Sequence, residues 1–203
     1  VGKTITAAFV RTAAGECRLT ARAFAVAAGA VQSAALLLRS ANERHPAGLA
    51  NRSDQVGRNF MNHNSSAMLT VDPRLRNTSI YQKTLSLNDF YNNDPETGYP
   101  LGNVQGLGRI TASILKSNLP ILPMPLARLF ASYAFGWFLQ SEDLPNPESR
   151  VTIRNGQITI HWERSNMRAH EALIARTRAV MRRAGFPIVL VRTFGRKTTS
   201  HQC

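Results

Sequence analysis

The pair Asn155-Gly156, set between Val151-Thr152-Ile153-Arg154 and Gln157-Ile158-Thr159-Ile160-His161-Trp162, most narrows what this chain can fold into. Asn-Gly tolerates positive φ at both centres of a type I′ turn, the turn whose twist suits two antiparallel strands. In that register Ile153 faces Ile158 and Val151 faces Ile160, so the hairpin has one apolar face. The period then changes. From Asn166 to Ala184, Leu173, Ile174, Val180 and Met181 form a helical stripe, Arg182 and Arg183 sit where the dipole favours cations, and Gly185 and Pro187 end the helix. Pro187 to Val191 is expected to return as a strand. The mixture of periods indicates an α/β (α+β) chain.

Upstream, Ile5–Val10 and Cys17–Val26 are β-prone and flank the turn chemistry of Ala14-Gly15, which predicts two strands. The second runs into the small apolar segment Phe24–Ala30, expected to be a buried strand, with Ser33 capping a following helix. Residues 41–65 and 88–100 have loop composition, and apolar alternation resumes between them at Met68–Val71. Gly106-Leu107-Gly108 reads as a loop before a helix starting near Thr111, since no third glycine completes a dinucleotide fingerprint. Pro120, Pro123 and Pro125 interrupt the most apolar stretch and leave Leu126–Leu139 as an expected core helix. That is too short to span a bilayer, which takes about 20 apolar residues.

A composition of 43% hydrophobic residues in 203 suits a globular chain and argues against disorder. Two cysteines, Cys17 and Cys203, exclude a disulfide framework and a paired-cysteine zinc site, and they point to a reducing, cytoplasmic setting. The net charge of +13 raises nucleic acid or an anionic surface as a partner. Between Arg150 and Lys197 there are eleven basic residues against Glu163 and Glu171. They are not interleaved with aromatics, so the segment reads as a solvated basic face and nucleic acid is not expected. The alternative is a non-catalytic basic module. No nucleophile elbow, zincin helix, phosphate loop or Cys-x-x-Cys is present, and no metal site is expected. Among the five histidines, His161 and His170 are expected at the surface, and His45 lies in a loop. The chain begins at Val1 and stops inside Thr198-Thr199-Ser200-His201-Gln202-Cys203, so it reads as a piece of a longer one.

Four stretches in order resemble the glucose-methanol-choline (GMC) flavin oxidoreductases. Ala27-Ala28-Gly29-Ala30-Val31-Gln32-Ser33-Ala34 is similar to the family's strand and following helix, with Ala34 where proline is usual. Gly48–His63, containing Ser53-Asp54-Gln55-Val56-Gly57-Arg58-Asn59-Phe60-Met61-Asn62-His63, is similar to the family's loop, with Asn62 in place of aspartate. Glu142-Asp143-Leu144-Pro145 through Arg150-Val151 resembles the acidic-proline segment that opens a substrate-domain strand, with Ser149 where asparagine is typical. Ser200-His201-Gln202-Cys203 resembles the start of the run that carries the family's catalytic histidine.

The resemblance implies the end of a Rossmann-like FAD-binding domain at residues 1–65, then part of a substrate domain with an antiparallel sheet and helices at 66–203. It implies FAD as cofactor, an alcohol or sugar as substrate, and oxygen, a quinone or a haem protein as electron acceptor. His201 is implied as the catalytic base, since a histidine near neutrality suits removal of a hydroxyl proton while a hydride leaves the carbon. Ala28, Gly29, Ala30, Asn59 and His63 are implied near the flavin. Without the glycine-rich FAD motif, the segment alone is expected to be inactive.

Overall fold

A computed structural model describes residues 4–195. In chain order the elements are β1 (Ala8–Thr12), β2 (Gly15–Leu19), α1 (Gly29–Arg39), β3 (Asn64–Val71), β4 (Ser86–Leu87), β5 (Asn103–Arg109) and α2 (Ala112–Asn118). They continue with α3 (Met124–Ala131), β6 (Ala134–Ser141), β7 (Arg150–Arg154), β8 (Gln157–His161), α4 (Met167–Arg183) and β9 (Ile188–Thr193). The fold is mixed α and β, and every strand pairing among the described residues is antiparallel. Two compact units result. One contains residues 4–60 and 146–162, the other 61–145 and 163–195.

In the first unit β1 and β2 form a hairpin, and β7 and β8 form a second. The second has the register read from the sequence, Ile153 opposite Ile158 and Val151 opposite Ile160, with φ of 50° at Asn155 and 75° at Gly156. Its Val151 joins Ala34 and Phe60 in a small core flanked by Val31, Val56, Ile158 and Trp162. Arg39 at the end of α1 donates to the Gly156 carbonyl at 2.7 Å. Gly57 lies against Val151 of that core. Its φ is +85°, and a Cβ there would lie 2.4 Å from the Val151 carbonyl oxygen. Gly57→Ala is therefore expected to destabilise this unit by at least about 2 kcal/mol, read as an earlier unfolding transition.

Phe24–Ala30 is not a strand. No strand among the described residues pairs with it, so its amides have no ladder to enter, and most of it is exposed. Helix α1 begins at Gly29, which leaves Ser33 inside it, where the Ser33 hydroxyl accepts from the Ala28 amide at 3.0 Å.

The second unit is built on a five-stranded sheet of order β4-β5-β6-β3-β9. Alternation sends Met68, Trp137, Leu139, Val104 and Val191 to one face, where α4 packs with Ala169, Leu173 and Met181. Burying side chains of this size contributes roughly 1.5–3 kcal/mol each. Thr177 completes the inward stripe of α4, whereas Val180, expected there, is 37% exposed. The stretch Leu126–Leu139 is not one helix. Only α3 is helical, and Phe135-Gly136-Trp137-Phe138 forms the middle of β6, an aromatic-rich sequence that suits a pleated surface between two neighbours. Gly106-Leu107-Gly108 likewise lies within β5, at a register shift against β6 where Gly108 has φ +66°. The excursion 88–100 is pinned through Asp94, buried and gripped by Arg176 (Nε to Oδ1 3.0 Å), which holds the carboxyl below its usual range. Arg176 also pairs with Glu96.

Candidate functional site

The face of the sheet opposite α4 carries a different chemistry. The register sets Asn103 opposite Gln140 and Gln140 opposite Ser65, then Gln105 opposite Phe138 and Phe138 opposite Ala67. At one end Ile110 packs on Gly136, and the Asn118 carbonyl at the end of α2 accepts from Arg192 at 3.3 Å. Towards the other end Asn103, Gln105, Phe138 and Gln140 stay half-buried. Asn103 donates through Nδ2 to Ser86 Oγ at 2.8 Å and to Asn88 Oδ1. Its own Oδ1 and Gln140 Nε2 are buried with no hydrogen-bond partner among the described residues. An orphan acceptor and an orphan donor on facing residues each carry a desolvation cost of roughly 1–3 kcal/mol, which a hydroxylic ligand reached by small side-chain rotations would relieve. Phe194 packs on Phe138 in a tilted arrangement with 6.3 Å between centroids, and its amide donates to the Ser65 carbonyl at 3.0 Å. This gives the polar row an aromatic wall.

His63 lies two residues before Ser65, whose hydroxyl donates to the His63 carbonyl at 3.5 Å; His63 is half-buried at the entrance to β3. His201 lies outside the described residues. Ala28, Gly29, Ala30 and Asn59 belong to the first unit. Gly29 has φ +81° with open space where a Cβ would stand, and Ala28 and Gly29 are exposed. The first turn of α1 holds no acidic side chain and no side-chain cap, so no side chain of that turn answers its free amides. These features fit close approach by a flat cofactor with an anionic group. Asn59 adopts φ 57°, and the next amide, of Phe60, donates to Ser149 at 2.8 Å. Val31 and Phe60, the chain neighbours of Ala30 and Asn59, meet in the small core described above.

The loop that carries the Gly48–His63 resemblance organises itself through backbone capture. Buried Asn51 donates to the Ala47 carbonyl at 2.8 Å and accepts from the Val56 amide at 2.9 Å. Asp54 is bonded by Arg58, which lowers its pKa, and by Arg150 at 3.2 Å.

His170 is not at the surface. It is fully buried on the sheet side of α4, with Nε2 2.7 Å from Ser66 Oγ and Nδ1 3.0 Å from Ser141 Oγ. Burial, with the charge of Arg164 adding to it, pushes its pKa down to about 4. A serine and histidine at this distance suggest a nucleophile pair, but both are sealed from solvent and no carboxylate holds the second nitrogen, so the group is a structural clasp. Its sequence signal was the helical spacing of His170 with Leu173 and Thr177, the face that is buried. Asn103, Gln105, Phe138 and Gln140 were missed because β5 and β6 were not read as strands.

Among the described residues no helix is long and apolar enough to cross a membrane, and no cluster of three or more His, Cys, Asp or Glu could hold a metal. No family model matches the chain. The chain is 29% identical over 146 residues to the fructose dehydrogenase large subunit of Gluconobacter japonicus, a match covering 67% of this chain and 26% of that protein. It thus spans about a quarter of the length of that curated relative. The similarity supports a relationship to an oxidoreductase subunit.

Proposed function

We propose that this chain is a segment of an FAD-dependent oxidoreductase of the GMC type that acts on a CH–OH group of an alcohol or sugar. The observation that carries the reading is the similarity to a dehydrogenase subunit over two-thirds of the chain. When bound, FAD supplies the hydride acceptor. The chain's own residues have separate tasks. Asn103, Gln105 and Gln140 orient the substrate hydroxyls, and Phe138 with Phe194 forms an apolar wall that keeps water from the reacting carbon. His201 takes the hydroxyl proton, a role that needs a base poised near working pH. The open backbone at Ala28, Gly29 and Ala30, the free amides of α1, Asn59 and His63 serve the cofactor. Oxygen, a quinone or a haem protein would re-oxidise the enzyme.

The full-length protein is expected to show visible flavin absorption that bleaches when a polyol or ketose is added without oxygen. A folded full-length protein with no flavin bands would sink the reading.

A further inference from the structure

A cleft of about 680 Å³ lies beside α3, in the second unit. Two arginines, Arg109 and Arg128, line it together with the hydroxyls of Thr78, Ser79, Thr111 and Ser132. Neither guanidinium has an ion-pair or hydrogen-bond partner among the described residues, and both side chains are exposed. Nothing acidic answers them. The sequence has no Asp or Glu from Thr97 to Ser141, and none from Pro73 to Asn88, while Arg76, Lys83 and Lys116 add further cations. The upstream carboxylate of Asp72 is already held by Arg74 at 2.9 Å.

Ile80 lines the cleft, and the elements around it carry further uncovered apolar side chains. Ile80 and Tyr81 are 86% and 75% exposed, and Ile121 at the α2–α3 turn is 97% exposed. On α3 itself Ala127 and Ala131 face inward, while Leu126 and Leu129 are exposed, both turned to the same side of Arg128 around the helix axis. Exposed Leu and Ile with cations among them and no anions is the pattern of a surface that settles at a lipid interface: apolar side chains enter the headgroup boundary while guanidinium forks take phosphate.

We propose that the cleft between Arg109 and Arg128 binds the phosphate of an anionic phospholipid, and that the α2–α3 hairpin docks this face on an anionic membrane surface. Charge complementarity selects this occupant, because an apolar partner alone would not call for two unpaired guanidinium groups. The inference rests on the second unit's surface and is independent of the flavin reading.

The test is sedimentation of the full-length protein with phosphatidylcholine vesicles, with and without about 30% phosphatidylglycerol. Binding is expected with phosphatidylglycerol, weakening as salt rises. R109Q/R128Q is expected to lower it roughly 30-fold, and L126S/L129S to lower it as well. All four positions are exposed, so unchanged unfolding serves as the folding control. Equal binding to neutral vesicles, or wild-type binding by R109Q/R128Q, would overturn the proposal. So would binding of inorganic phosphate or of a soluble protein without any vesicle association, the marks of a free-anion site and of a protein interface.

Discussion

His201→Ala in the full-length protein is expected to lower kcat by roughly 10²–10⁴ while the flavin remains bound, the range lost when a positioned base is removed. The proposed chemistry separates proton and hydride: the hydroxyl must lose its proton as the hydride leaves the same carbon, and water is a poor and badly placed acceptor. A base with a pKa near neutrality has both the free site and the driving force to accept it. The acid limb of the pH–rate profile should disappear in the variant, and KM should move much less than kcat, because the proposed hydroxyl-binding row of Asn103, Gln105 and Gln140 is left in place. Near-normal turnover, or loss of flavin along with activity, would exclude His201 as the base.

The second large effect concerns stability. His170→Ala removes a fully buried ring that joins α4 to β3 and β6, leaving a cavity and stranding the Ser141 hydroxyl, while Ser66 keeps only its bond to Thr193 Oγ1 at 3.1 Å. The expected loss is about 3 kcal/mol or more in denaturant unfolding. The wild-type clasp also carries a pH signature. Folding holds the ring neutral, with a pKa of about 4, whereas the unfolded ring titrates near 6.5. The unfolded chain therefore binds the extra proton as pH falls. The stabilisation is complete above pH 6.5, declines between 6.5 and about 4, and the total decline is about 3 kcal/mol. His170→Gln can still donate and accept but does not titrate, so it should flatten this slope. An unchanged slope in that variant would show that other groups cause the acid sensitivity.

Local chemistry was readable from the sequence wherever neighbours along the chain decide the conformation. Asn155-Gly156 fixed the register of β7 and β8, and Thr111 caps α2 by accepting from the Ile114 amide at 3.3 Å. Helix α4 begins and ends within a residue or two of its sequence signals. Reading failed where a distant partner decides. Phe135–Phe138 is apolar enough for a helix or a strand, and only β3 and β5 on either side make it a strand. Ala27–Ala30 has the composition of a sheet centre but no sheet partner among the described residues. The candidate site shares that limit. Asn103 and Gln140 lie far apart in the chain, and their opposition exists only through sheet register. The roles proposed for His201 and the small-residue run rest on resemblance alone.

The first unit is interrupted in the chain: it is left after Phe60 and resumed at Asn146. Its Val151 amide bonds to the Gly57 carbonyl at 2.7 Å, so an unfolded chain must close a loop of roughly 90 residues to make that contact, an entropic cost of about 4 kcal/mol. The second unit shortens the search. The Asn62 amide reaches Asp143 Oδ2 at 3.3 Å, which draws together the two ends of the intervening segment. Once that neck has formed, the loop still to be closed shrinks to a few residues on each side. Through that neck the contact between the β7–β8 hairpin and α1 becomes an almost local one in spite of its separation along the chain.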